Sequence, residues 1–196
     1  VEIEKGEVIA REFRDAAGNV RLLIAGVGPG ESQAVITTTA LSALTTEQLN
    51  HFSTSQIQSL TTSQVAALSS TQINNLNSDL LQALTTTSIA AIPTATLAVI
   101  SNSQISNFNA SQIDAFTSAQ INALTSDQIA SLTSTQIVGL GGPGVALLTS
   151  NQIPGLGSSQ IAGLGTDLIK SLTTTAIKNL TTDQISYLNS GQVAAL

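Results

Sequence analysis

The sequence contains no cysteine, methionine or tryptophan, and only one histidine and one tyrosine. Without cysteine there is no disulfide, no thiol nucleophile and no thiolate metal site. The lone histidine, His51, has no neighbours that would make it a zinc ligand or part of a Ser-His-Asp relay. Charge is scarce as well: charged residues are 9% of the chain and aromatics 3%, where globular enzymes ordinarily carry more charge. The net charge of −6 offers no attraction to phosphate backbones or anionic lipid. Four of the six basic residues, Lys5, Arg11, Arg14 and Arg21, lie before residue 22, leaving only Lys170 and Lys178 beyond it. No apolar run approaches the length of a membrane-spanning helix. Nucleic-acid binding and membrane insertion are therefore not expected. Val1 is not a translated start and no signal peptide follows it, so the chain reads as a processed product or a fragment.

What is present is repetition. From Ile36 the chain runs in eights: ITTTALSA, LTTEQLNH, FSTSQIQS, LTTSQVAA, LSSTQINN, LNSDLLQA, and onward without insertion or deletion to LNSGQVAA. Numbering the template 0 to 7 gives the consensus L-T-S/T-x-Q-I-x-x over 20 octads. Position 0 is apolar in all 20, among them Leu60, Leu124, Leu132 and Leu180. Position 5 is aliphatic in all 20, among them Ile73, Ile129, Ile137 and Ile185. These eight are the expected core. Position 4 is Gln in 13 octads.

The spacing decides the local structure. Positions 0 and 5 have opposite parity, so one straight strand cannot bury both. One long helix fails too, because eight residues at about 100° each rotate the apolar pattern by roughly 80° per octad. A short helix in each octad accounts for the whole consensus. Position 1 is Ser, Thr or Asn in 16 octads, which suits an N-cap. Gln at position 4 then falls at N3 and completes a capping box, in which each side chain bonds the other residue's backbone N–H. Thr125 with Gln128, Thr133 with Gln136, and Thr181 with Gln184 are the expected pairs. Positions 0 and 5 become the two halves of a hydrophobic staple. Acids at position 3 (Glu47, Asp79, Asp127, Asp167, Asp183) would lie in the first turn, where the helix dipole favours them. Position 7 is mostly small or turn-tolerant, suiting a chain that is leaving its helix.

An isolated helix this short is far below the nucleation threshold, and two aliphatic side chains do not offset the ordering of eight backbones. Stability must come from octads stacking their Leu and Ile residues into one core, as in a solenoid. The expected fold is mainly α, a solenoid of very short capped helices with an N-terminal β-hairpin segment. Rows of Ser, Thr, Asn and Gln are expected to line its outside. The alternative is a β-solenoid with Thr and Gln ladders, which Thr and Ile favour intrinsically but which leaves the coupling of positions 1 and 4 unexplained.

Two stretches depart from the template. Gly141-Gly142-Pro143-Gly144 replaces a capping box, and Pro154 falls where a helix N–H is wanted. This is either a bend or binding loop, or drift that the stack tolerates, and tolerance is the simpler reading. Pro93 at a cap position is milder, since Pro suits helix starts. Residues 1–30 read as a β segment, with strands in VEIEKGEVIAREF and NVRLLIAGV and a turn signal over 15–19. Val1, Ile3, Val20, Leu22 and Ile24 are candidate assembly-strand residues. A lone hairpin is marginal, so the segment is expected to cap the solenoid, to belong to a further domain, or to pair with another copy. Residues 31–35 follow as a linker and 36–196 as the array. The glycines at 26, 28 and 30 form no phosphate loop, because neither Lys-Ser/Thr nor a full G-x-G-x-x-G follows. Asn109-Ala110-Ser111 and Asn179-Leu180-Thr181 match the N-glycosylation pattern, as composition alone would generate. Leu196 stands at position 0 of a next octad, so the array is expected to continue beyond it.

The L-T-T-x-Q-I-x-x array over residues 36–196 resembles octapeptide-repeat regions of large secreted bacterial proteins, surface or adhesin-like and often accompanied by calcium-binding toxin-type repeats. The resemblance implies an extracellular or cell-surface setting and carries no site residues. The calcium nonapeptide G-G-x-G-x-D is absent, so calcium dependence is not carried over. No cofactor, metal or catalytic residue is expected.

Three functions are compatible with these features. The first is a self-associating architectural element of a surface filament, sheath or biofilm matrix. The second is an adhesin-type module whose Thr/Ser/Gln rows contact glycan, ice or another surface. The third, an enzyme fragment, lacks any catalytic constellation. Far-UV circular dichroism separates the two folds: the helical array predicts a double minimum, and a single strand-type minimum would refute it.

Overall fold

The computed structural model describes residues 10–14, 20–24 and 36–196. Each of the 20 octads carries one helical segment, running from Thr38–Ser42 in the first to Ser190–Val193 in the last. Nineteen are α-helices of four to six residues, and the segment Ile153–Gly155 is a single 3-10 turn.

Each helix begins and ends for reasons written in its own octad. The residue at position 1 is extended, as at Thr125 with φ −76° and ψ 163°, and its side chain accepts the N–H of residue 128. The helix closes when the N–H of the next position 0 bonds the carbonyl of position 5, as from Leu132 to Ile129 at 3.2 Å. That bond spans three residues rather than four, tightening the last turn before the chain straightens again. The corner lies at positions 0 and 1, and among the described residues no non-glycine residue has a positive φ. The five acids at position 3 all sit in first turns, beside the N-terminal N–H groups.

Successive octads wind into a superhelix. Helices pack against those three octads away, for example Ala110–Asp114 against Ser134–Gly139 and Ser126–Ser131 against Ile153–Gly155. Hydrogen bonds between coils join residues 25 to 31 positions apart, so one turn takes between three and four octads. Positions 0 and 5 meet along the axis in one continuous apolar core from Ile36 to Ala176. At position 0, Phe108 and Phe116 stack edge to face with ring centroids 5.7 Å apart, an arrangement aromatic quadrupoles favour.

The eight expected core residues divide. Leu60, Ile73, Leu124, Ile129, Leu132 and Ile137 are buried, Leu180 is half-buried, and Ile185 is 54% exposed. The reason is directional. Position 5 is covered by the octad three places later, so Ile169 is buried beneath the last octad while Ile185 and Val193 have no later octad upon them. The irregular stretch keeps its core as well: Leu140, Val145, Leu148, Ile153, Leu156 and Ile161 are all buried. Gly141, at φ 64°, turns the chain directly from the helix ending at Gly139 into Gly141–Ala146. Only glycine enters that region readily, so the run of glycines does locally what the missing capping box does elsewhere.

In the N-terminal segment, strands Ala10–Arg14 and Val20–Ile24 pair antiparallel, with Ala10 opposite Ile24 and Arg14 opposite Val20. Val20, Leu22 and Ile24 thus belong to the second strand, while Val1 and Ile3 lie outside the described residues.

The core makes a graded prediction. Ile129→Ala, at a fully buried position 5, should cost about 2–5 kcal/mol in a urea melt. Thr135→Ala, at an exposed position 3, should stay within about 0.5 kcal/mol. Equal losses at the two sites would contradict this packing.

Candidate functional site

The repeated unit of interest is the amide of position 4. In isolation the capping box accounts for half of it. Thr125 Oγ1 accepts the Gln128 N–H at 3.1 Å, and Gln128 Oε1 accepts the Thr125 N–H at 2.8 Å. Thr133 with Gln136, and Thr181 with Gln184, make the same reciprocal pair. Fifteen helices have their N3 N–H held by the side chain at position 1.

The other half of the amide reaches into the preceding coil. Gln128 Nε2 donates to the carbonyls of Leu97 at 2.8 Å and Ile100 at 2.7 Å, 31 and 28 residues earlier. Gln72, Gln104, Gln112, Gln120, Gln152, Gln160, Gln184 and Gln192 repeat this double donation at the same two separations. Gln136 reaches Ser106 and Phe108, and Gln64 reaches Ile36. One side chain therefore closes its own helix and ties two carbonyls of the coil before it.

This arrangement corrects the expectation that Gln would line the outside with Ser, Thr and Asn. Eleven of the 13 position-4 glutamines are buried, and the exceptions, Gln48 and Gln56, belong to the first coil of the array. The physical cause is the pair of carbonyls where each short helix ends, at positions 5 and 0. Position 5 already accepts the N–H of the next position 0, but position 0 leads into an extended residue and in the regular octads has no donor from the chain around it. A buried carbonyl without a donor costs about 1–3 kcal/mol, and the Gln amide is the group that supplies one.

A second, outer set of amides runs the opposite way. Asn50 at position 6 donates to the Asn75 carbonyl at 2.6 Å and accepts the Asn77 N–H at 2.8 Å, both in later octads. Asn74 joins Val99 and Ser101 in the same manner, and Gln82 reaches Asn107. These outer bonds are exposed.

Position 7 is small for a reason besides chain exit. A Cβ on Gly155 would lie 2.5 Å from the Ser126 carbonyl oxygen, 29 residues earlier, so the backbones of adjacent coils nearly touch there. His51 and Tyr187 occupy this position where their side chains remain exposed. Position 3 is exposed in every octad and presents mainly Ser, Thr and acidic side chains. Among the described residues no group of three or more His, Asp or Glu side chains comes together, and no helix is long and apolar enough to cross a membrane.

Comparison with known families finds the same unit. Residues 89–126, 110–142 and 169–196 match the family model described as ALTTAQ repeat. Its six letters map onto positions 7 through 4, as in Ala123-Leu124-Thr125-Ser126-Asp127-Gln128. The chain thus contains a repeat region similar to that family over these segments. No curated protein matches it.

The dual role of the amide separates two substitutions at one site. Gln128→Leu removes three bonds and should cost about 3 kcal/mol, more than an exposed polar change. Gln128→Glu keeps the cap acceptor but sets a carboxylate against two carbonyls in a buried place. Both burial and those oxygens would raise its folded pKa. Its folded state then binds the extra proton, so stability should be highest below the ordinary Glu range and fall as pH rises through the raised value. Urea melts of the Glu variant that were flat or rose across that window would contradict the inter-coil donation.

Proposed function

We propose that the protein is a non-catalytic, extracellular structural repeat protein, a self-associating component of a surface filament, sheath or biofilm matrix. The observation that carries this reading is where its buried polarity goes. Among the described residues, every buried polar side chain is Ser88 or one of the position-4 glutamines, whose inter-coil bonds form a ladder along the solenoid. All eleven glutamines join coil to coil, leaving the interior devoted to extending a rod.

The coils are also polar in a useful sense. Each presents Gln donors on one face, and carbonyl acceptors with aliphatic position-5 side chains on the other. Coil on coil is therefore a head-to-tail contact, the type that propagates rather than closes. The strand edges of Ala10–Arg14 and Val20–Ile24 supply a second route for chains to meet. The extracellular setting rests on the resemblance of the octads to repeats of secreted bacterial surface proteins.

A second reading keeps the rod and gives its surface a ligand. The exposed position-3 row would make it an adhesin-type module for a glycan, ice or another surface. The position-4 glutamines contribute little to such a surface, because eleven of the 13 are buried.

Electron microscopy of the purified chain tests the first reading: filaments or regular bundles are expected, and monomers at all concentrations would sink it. Removing residues 1–30 should shorten or abolish assembly if the strands take part. Replacing several exposed Ser and Thr of position 3 should leave assembly intact. Loss of surface retention from that replacement, in a chain that does not assemble, would favour the adhesin reading.

A further inference from the structure

The glutamine ladder is not continuous, and its longest gap is one superhelical turn wide. Three consecutive octads, those opening at Leu76, Leu84 and Ile92, carry Leu80, Ser88 and Thr96 at position 4. Leu80 is buried as the glutamines are, but it has no donor. The Ser88 hydroxyl lies 2.9 Å from Thr85 Oγ1 within its own octad and does not reach the coil before. By the register of the ladder, these octads face the carbonyls of Phe52, Leu60 and Leu68, three buried residues. Among the described residues, none of those three carbonyls accepts a hydrogen bond from the coil that follows. On either side the ladder is whole: Gln72 ties Leu44, and Gln104 ties Leu76.

The apolar core passes through the gap unchanged, with Leu81, Leu84, Ile89, Ile92 and Leu97 all buried. What holds the joint instead belongs to the outer set: Asn74 donates to the Val99 carbonyl, and Asn50, one octad before Phe52, accepts the Asn77 N–H. These bonds are exposed to water, which competes for each partner, whereas the ladder bonds are shielded. Pro93 also leaves the helix Thr94–Leu97 without a side-chain cap.

We propose that the contact between residues 52–75 and residues 76–99 is a built-in yielding joint, where the solenoid opens while the glutamine-tied octads over residues 108–139 hold. Local opening of this kind sets amide exchange rates by contiguous cooperative units. The joint gives a rod a defined place to bend, without an interruption of its core.

Native-state hydrogen exchange of the full chain, read by mass spectrometry, tests the proposal. Amides of residues 76–99 should exchange at least about tenfold faster than those of residues 108–139, a ratio of the size a few shielded bonds produce. The triple variant L80Q/S88Q/T96Q restores the ladder and should erase the difference. The reverse variant Q112L/Q120L/Q128L should create a second fast segment, and N50A/N74A should speed the first one further. The triple variant also guards against a trivial result, since a merely thin packing contact would stay fast after the glutamines are restored. Equal exchange in the two segments of the unmodified chain, or a difference that survives L80Q/S88Q/T96Q, would overturn the joint.

Discussion

A helix of five residues has almost no interior: nearly all its N–H and C=O groups are terminal, and most need partners from outside the intrahelical ladder. In this chain the requirement recurs every eight residues, and the position-4 glutamine meets most of it. Its oxygen takes the N–H at the start of its own helix, and its nitrogen takes the carbonyls at the end of a helix in the preceding coil. Because one planar amide does both, the start of each helix is locked in register with the coil beneath it. The spacing of coils, the burial of positions 0 and 5, and the closeness of position 7 to the backbone of the preceding coil depend on that registry. Gly155 against Ser126 shows how little room remains once the amides are seated.

The same amide gives the solenoid its direction. Position 4 points to earlier octads and position 5 is covered by later ones. That is why Gln192 is buried in the last octad while Val193 beside it is 53% exposed. Shielding makes these bonds stronger than surface bonds and makes their absence costly. An array built this way gains stability turn by turn, as solenoids with nearest-neighbour coupling do. Its local strength then follows the pattern of Gln, Leu, Ser, Thr and Gly at one template position.

Much of the fold could be read from the octad alone, because the forces that shape it act within eight residues. The parity of positions 0 and 5, the Ser/Thr at position 1 and the Gln three residues on point to a capped, stapled helix, and the acids of position 3 add to that. The Nε2 half of the glutamine was hidden for a different reason. Its partners are backbone carbonyls 28 and 31 residues away, and a carbonyl leaves no mark in the sequence of side chains. The small residues of position 7 were ambiguous in the same way, since chain exit and close approach of a neighbouring backbone both favour them. Periodicity made Ile185 look identical to Ile129, but burial depends on a neighbouring coil that periodicity does not guarantee. At Gly141 the local rule fails outright: without a capping residue, a positive φ and a continuous helical path do the same work.

The glutamine side chains hold one coil to the next. Exchange of their own side-chain amide protons, followed by NMR, tests it most directly, since it reports on the bonds themselves rather than on stability as a whole. The Nε2 protons of Gln112, Gln120, Gln128, Gln152 and Gln160 should be strongly protected from solvent exchange. Those of Gln56 and Gln58, exposed on the outside, should exchange close to the rate of a free amide. Ladder amides exchanging as fast as Gln58 would mean that apolar packing alone holds the coils, and would contradict a structural role for the ladder.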